Sequence, residues 1–311
     1  MDRVTATPVD GGVGVVIPCY AQEGYLGEAI ESVLAQTHPA DEILVVDDGS
    51  PGDPAVVVRR YPGVQLVRQA NAGIAEARNT GLRESRSRLL IFLDADDRLL
   101  PRAIAAGVDG FRRHPDAAII AGVCRRIDER GAPWGPKVEF QCPGGDHYDA
   151  LLRHNHIWPP AVAMCRRECL EAVHGWLWKR HVQDLELYLR LAREYPIHCH
   201  PEEVAEYRIQ QGGRSQNRGA MLAGMMDVLR LQKPYVAAHP EYLDAYREGE
   251  RRYPEYYSER LSDEMREHFR ERRWGTVARG FADLIRHHPD RARELVTGKL
   301  KRLFRLSGRR R

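Results

Sequence analysis

Residues 89–97 read Leu-Leu-Ile-Phe-Leu-Asp-Ala-Asp-Asp, an apolar run that ends in a cluster of acids. An apolar run without alternation predicts a strand buried on both faces, in the middle of a parallel sheet. Ligands of open α/β sheets bind at the carboxyl ends of such strands. In an extended segment, residues two apart project to the same side, so Asp94 and Asp96 would face one point. Two carboxylates converging there repel unless a cation lies between them. Carboxylate oxygens suit Mg²⁺ or Mn²⁺, ions that keep positions open for phosphate oxygens. The expectation is a metal–diphosphate site. The competing reading is that the acids cap a helix starting near Pro101.

Several elements must position these acids. Val13–Ile17 is apolar and β-branched and predicts a first strand, with Pro18 ending it. Leu26, Ala29, Ile30, Val33 and Leu34 recur at helical spacing. Glu42–Val46 predicts a second strand, running into Asp47-Asp48-Gly49-Ser50. A short helix over 54–61, a strand over 64–67 and a helix from Asn71-Ala72-Gly73 to Glu84 precede the acidic strand. Repeated strand–helix units predict a doubly wound, right-handed parallel sheet. Three strand ends then meet at one edge. Asp48 could accept a hydrogen bond from the imide N–H of a pyrimidine, and Tyr20, after Pro18, could stack on the base. There is no glycine-rich phosphate loop, so the diphosphate must be held by metal.

The second half is less regular. Helices are expected over 101–114, 167–173 and 183–195, strands over 117–123 and 161–164, and hairpin and loop over 124–145. Trp158, in His156-Ile157-Trp158-Pro159-Pro160, is the candidate for stacking on an acceptor sugar; burial in the core is the alternative. From about residue 219 the pattern is helical and highly charged.

Composition narrows the class. The chain has 311 residues, 43% hydrophobic and 29% charged, with a net charge of +3. That excess is too small to imply nucleic acid. No apolar run approaches the ~20 residues needed to span a bilayer. The N-terminal stretch lacks an apolar signal core, so a cytoplasmic protein is expected. Six cysteines without a Cys-x-x-Cys pair suggest reduced, mostly buried thiols. The basic end, Lys299 to Arg311, carries Leu300, Leu303 and Phe304 on one face. It reads either as a peripheral contact with the cytoplasmic face of an anionic membrane or as a solvated terminus.

Four motifs in order carry a resemblance. They are Val15-Val16-Ile17-Pro18-Cys19-Tyr20, Ile43–Ser50, Asn71–Gly81 and Phe92-Leu93-Asp94-Ala95-Asp96-Asp97. The chain resembles family 2 glycosyltransferases of the GT-A fold over residues 13–101, with a weaker continuation to about 215. The resemblance implies an α/β fold with a GT-A (Rossmann-like), mostly parallel central sheet flanked by helices. Residues 1–215 would be the catalytic domain, with a donor half over 13–101 and an acceptor half over 102–215. Residues 216–311 would be a helical C-terminal extension. The implied activity is inverting hexosyl transfer from a UDP- or dTDP-sugar to a hydroxyl of a glycan, lipid-linked or other acceptor, in surface polysaccharide or glycoconjugate assembly. Pro18, Tyr20, Asp48, Arg78, Asn79, Asp94, Ala95 and Asp96 would wall the donor site, with Asp94 and Asp96 as the metal-binding Asp-x-Asp.

The family's general base corresponds to Asp184, at the start of a helix whose dipole would lower its pKa. Gln183 stands where the family usually has Glu, and Glu186 is the weaker candidate base. Tyr207-Arg208-Ile209-Gln210 lacks the family's His, leaving Gln210 as its replacement. Arg208 and Arg214 would offset the charge of the leaving diphosphate, and Gly212-Gly213 would let the loop close over the donor. Two alternatives remain: a non-catalytic nucleotide-sugar-binding or scaffold protein, and a sugar-1-phosphate nucleotidyltransferase.

Overall fold

A computed structural model describes residues 11–178, 180–210, 217–287 and 293. Arg214, Gly212-Gly213 and the basic end all lie outside the described residues. Backbone contacts divide the chain into two units, one of 1–151 and 155–211, the other of 152–154 and 212–311.

The first unit opens with β1 (Val13–Cys19), α1 (Glu23–Leu34), β2 (Glu42–Asp47), α2 (Pro54–Val58), β3 (Val64–Arg68), α3 (Ile74–Glu84), β4 (Leu89–Phe92) and β5 (Arg98–Leu99). It continues with α4 (Ala103–Arg113), β6 (Ile119–Ile127), all but the last two residues of α5 (His147–Arg153), β7 (Ala163–Arg166), α6 (Arg167–Ala172), α7 (Gln183–Glu194) and β8 (Ile197–Arg208). The sheet order is β3-β2-β1-β4-β7-β6-β8-β5. β3, β2, β1 and β4 are parallel neighbours, as the strand–helix repeats predict. β1 and β4 are buried along their whole length. α1 buries Leu26, Ala29, Ile30 and Val33, the face its periodicity marks. Each fully buried side chain of this size contributes about 1.5–3 kcal/mol.

Several expectations need correction. Pro18 does not end β1, which pairs with β2 through Cys19. The carbonyl of Cys19 faces β2, accepting from Asp48 N, while that of Val16 faces β4, accepting from Leu93 N. By alternation Pro18 faces β4, whose ladder has already stopped at Val16, so its missing N–H costs nothing. β7 runs antiparallel between β4 and β6, and β5 is antiparallel to β8. Over 124–145, β6 runs on to Ile127 and the chain then reverses in a short hairpin, with an antiparallel bridge from Ile127 to Pro133 and hydrogen bonds from Asp128 N to Ala132 O (2.8 Å) and from Trp134 N to Arg126 O (2.9 Å). β8 is a strand the polar text Ile197–Arg208 conceals. It pairs in parallel with β6 across register shifts near Ala121–Cys124, and Pro201 sits where the ladder is interrupted.

One glycine is required by packing and one by backbone conformation. A Cβ at Gly81 would collide with the Val16 side chain, so α3 lies directly on β1. Gly73 caps α3 at φ +89°, a left-handed conformation that an L side chain rarely adopts.

Glu42 ties β2 to the segment before β4. Its carboxylate accepts from Ser85 Oγ (2.5 Å), Ser87 Oγ (2.7 Å), Ser87 N (2.9 Å) and Arg86 N (2.9 Å). Partial burial pushes its pKa up, but these hydrogen bonds outweigh it and the net shift is downward from 4.5. A lowered native pKa contributes stability that is complete above the unfolded value and lost as pH falls through the native one. Glu42→Gln should therefore melt lower than wild type at neutral pH, and the gap should close as pH falls through and below the ordinary glutamate range. Melting curves across that range test it; a gap that stays constant rules out the carboxylate as its source.

The second unit is helical: α8 (Arg218–Ala238), α9 (Leu243–Arg270) and α10 (Trp274–His287). Leu261, Met265 and Leu284 form its core cluster, with Val277 and Phe281 against it. Asn217 caps α8 by accepting from Ala220 N (3.1 Å). Among the described residues no helix is long and apolar enough to cross a membrane.

Candidate active site

β2, β1 and β4 are adjacent and parallel, so their carboxyl ends bring residues 47–50, 19–22 and 94–97 to one edge. The acids are not extended. Residues 94–97 form a turn closed by Asp97 N donating to Asp94 O (2.9 Å). The turn, not strand alternation, puts the three carboxyls together. Ala95 is buried in it.

Environment separates the three acids. Asp97 is 1% exposed. Its Oδ1 accepts from Arg208 N (2.8 Å) and its Oδ2 has no partner. Burial, then the charges of Asp96 and Asp94, push its pKa well above the ordinary value. Asp94 accepts from Arg78 Nη2 (2.6 Å) and is thereby neutralised. Asp96 is half-buried; burial and then the Asp94 charge push its pKa up to about 6. Its Oδ2 accepts from Gln210 Nε2 (2.7 Å), and the Gln22 side chain also bonds to it. Gln210, expected from the sequence to stand in for a His, thus bonds directly to the acidic turn. Asp94 and Asp96 are the two acids of the turn that are not fully buried, and the donor set is all oxygen. The residues present fit a hard divalent cation.

Arg78 joins this turn to α7. It lies in α3, a helix held against the sheet by its Ala75, Ala77 and Leu82 face. Its side chain is 4% exposed. Besides Asp94 it donates from Nη1 to Gln183 Oε1 (3.1 Å), and its guanidinium lies 4.4 Å from the centre of the Trp176 ring. An uncharged Gln183 accepts from the arginine without competing for its charge with Asp94. Val182 precedes α7 at φ 58° and ψ 42°, a left-handed conformation that is costly for a β-branched residue.

Asp184 follows in the first turn of α7. The expected lowering of its pKa by the helix dipole is not what the structure shows. Burial outweighs the backbone hydrogen bonds, the Arg78 charge and the Asn155 hydrogen bond, and the pKa is raised. Desolvation of a nearly enclosed carboxylate exceeds the dipole's contribution of about 0.3–1 kcal/mol. A raised pKa suits a proton acceptor working near neutral pH. Glu186 is held by Arg190 through both oxygens (2.7 and 2.8 Å) and is not free for that role.

The remaining expected residues divide into exposed and engaged ones. Tyr20 is 50% exposed at the end of β1, while Pro18 is buried within the strand. Asp48 is 3% exposed. It accepts from Gln69 Nε2 (2.8 Å), Ala72 N (2.8 Å) and Gly73 N (2.9 Å), so it anchors the start of α3. Asn79 does not face the donor edge: it exchanges two hydrogen bonds with the Trp176 backbone (2.8 and 2.9 Å). Arg208 does not face a diphosphate. Its side chain is 0% exposed. It donates to Asp96 O (2.7 Å), Asp128 O (3.3 Å), Glu129 O (3.0 Å) and Glu28 Oε2 (2.7 Å), clamping the acidic turn. Trp158 is half-buried, edge-on to Tyr207 with ring centres 5.9 Å apart. Trp176 is buried, as the core reading of the tryptophans expects, while sequence reasoning missed Gln22 and Gln69. Only Gln22, two residues beyond Tyr20 at a strand end, carried a positional signal.

Comparison with known proteins agrees with this architecture. The family model for glycosyl transferase family 2 matches residues 14–173, about half of the chain. An uncharacterized glycosyltransferase of Nostoc sp. is 33% identical over 177 residues, 52% of each protein. The chondroitin synthase of Escherichia coli is 34% identical over 218 residues, 64% of this chain and 29% of the synthase. The chain thus spans about half, or less, of these relatives' length. Among solved structures, a mannosyltransferase from Pyrobaculum calidifontis in complex with GDP-Man and Mn²⁺ superposes with a TM-score of 0.61 at 20% identity. It covers 97% of this chain and 84% of that one. Residues 1–349 of S. aureus TarS with UDP-GlcNAc superpose with a TM-score of 0.57 at 15% identity, covering 90% and 82%. These likenesses establish the GT-A fold. With the family match over residues 14–173, they place the chain in glycosyl transferase family 2.

Proposed function

We propose that the chain transfers a sugar, with inversion, from a nucleotide-diphosphate sugar to an acceptor hydroxyl. The observation that carries this reading is the link Asp94–Arg78–Gln183, with bonds of 2.6 and 3.1 Å. Asp184, the neighbour of Gln183 in the chain, is thereby tied through one bonded frame to the acidic turn, which supports its reading as the base.

The donor lies along the ends of β2, β1 and β4. Tyr20 stacks on the base. Asp48 retains one of its about four lone-pair sites for a base imide. Asp96, with Asp94, holds a divalent ion, Mn²⁺ or Mg²⁺. When bound, that ion offsets charge on the departing nucleoside diphosphate. Asp184 takes the proton of the acceptor hydroxyl. The acceptor oxygen then bonds to the anomeric carbon on the face opposite the diphosphate, whose bond to that carbon breaks. Trp158 flanks the acceptor, a glycan or lipid-linked hydroxyl. Hexosyl transfer in surface polysaccharide or glycoconjugate assembly is the setting this chemistry suits. The similar structures hold GDP-Man and UDP-GlcNAc, so the donor class to test includes GDP-, UDP- and dTDP-sugars.

Thermal shift with a panel of these donors, with and without Mn²⁺, tests the reading. A ligand at about 100 times its Kd adds about 2.7 kcal/mol of stability. A metal-dependent rise in melting temperature is expected with at least one donor, and Asp96→Ala should abolish the metal-dependent part. No rise with any donor would remove the proposal. A rise without subsequent transfer to any acceptor would favour a binding protein.

A further inference from the structure

Away from the donor edge, Cys142, His147 and Cys199 converge. Two sulfurs and one ring nitrogen lie within 4.8 Å of one another. The three arrive from different elements: Cys142 from the irregular segment after β6, His147 from the first turn of α5, and Cys199 from β8. The Cys142 thiol is in hydrogen-bond contact with both Cys199 and His147. Nδ1 of His147 lies 3.1 Å from Nε2 of His156. In the tautomer with its proton on Nδ1, His147 donates to His156 and leaves Nε2 unprotonated, the arrangement that an outer hydrogen-bond partner supports at zinc sites.

We propose that Cys142, His147 and Cys199 bind a zinc ion that pins the segment after β6 to β8. Tetrahedral zinc with bonds of about 2.3 Å to sulfur and about 2.0–2.1 Å to nitrogen needs ligand atoms roughly 3.5–3.8 Å apart. The observed spacing, within 4.8 Å, lies at most about 1 Å beyond that range, a closure that side-chain rotation can supply. Two thiolates and an imidazole select zinc over the hard cation that suits the acidic turn. Binding requires both thiols to lose their protons, which pass to solvent. The fourth position is taken by water or by a group drawn from nearby. In the segment from 128 to 146, Lys137 pairs with Glu203 of β8 (3.3 Å) and Pro136 O accepts from Arg126 (2.7 Å), and zinc would add a second tie to β8. The segment has no helix or strand of its own and carries left-handed glycines at 131, 135 and 145. If the proposed transferase reading holds, zinc there orders the acceptor side; the site itself does not depend on that reading.

Cobalt substitution of the 311-residue chain tests the proposal. Co²⁺ bound by thiolate gives a near-ultraviolet charge-transfer band that oxygen ligands do not. The band should appear on titration of the reduced protein and persist in Asp96→Ala. It should be lost in Cys142→Ser and in Cys199→Ser. A second readout needs no variant: Zn²⁺ should shield Cys142 and Cys199 from alkylation, and a chelator should expose them, as mapped by peptide mass spectrometry. Absence of the band together with alkylation indifferent to zinc would overturn the proposal. So would a Cys142–Cys199 disulfide peptide in a non-reduced digest of freshly purified protein. None of these outcomes depends on transferase activity.

Discussion

Asp184→Asn is expected to lower kcat by about 10²–10⁴-fold while leaving nucleotide-sugar affinity unchanged. The amide keeps the shape of the carboxyl and its hydrogen bonding near Asn155, yet cannot accept the proton of an acceptor hydroxyl. The substitution should not unfold the protein. The Asp184 pKa is raised, with burial as the largest cause. A carboxyl raised in the native state is a stability cost at neutral pH, relieved as pH falls through the raised value. A neutral isostere removes that cost, so the variant should melt no lower than wild type. For the same reason the acid limb of the wild-type kcat profile should lie above the ordinary aspartate range. Turnover, calorimetric donor titration and melting together decide the matter. Near-normal turnover would place the base elsewhere, and loss of donor binding would mark Asp184 as a donor contact.

Arg78→Met should destabilise the native state by about 3–5 kcal/mol, because it leaves Asp94 without its partner in a largely enclosed site. Arg78 also packs on Trp176 and donates to Gln183, so more than charge is lost. Arg78→Lys should recover only part of the stability, since an ammonium lacks the two-pronged geometry that reaches Asp94 and Gln183 together. Urea denaturation of Arg78→Met, Asp94→Asn and the double variant measures the coupling. The double variant should be clearly more stable than the sum of the singles implies, because removing both partners leaves no orphaned charge. Additive singles, or a cost below about 1 kcal/mol, would show that Arg78 does not hold the frame together.

The sequence by itself determined the parallel half of the sheet and the acids at its edge. Those features are local: an unbroken apolar run, a helical period and an Asp-rich strand end each act within a few residues. The tertiary structure decided what longer separations control. Polarity and order of β7, β6, β8 and β5 follow from which strand lands beside which. β8 is legible only through its pairing with β6, since polar residues and Pro201 interrupt its pattern. The roles of Arg78, Asn79 and Arg208 depended on partners up to 180 residues away. From text alone all three are charged or polar side chains near a donor motif. In the folded chain one bridges, one pegs a backbone and one is sealed inside. The sign of the Asp184 shift likewise turned on burial, a property of the surroundings and not of the helix start. The same holds for Cys142, His147 and Cys199, whose spacing in the chain resembles no metal motif. Only the packing of β8 against the segment after β6 brings their donor atoms to one point.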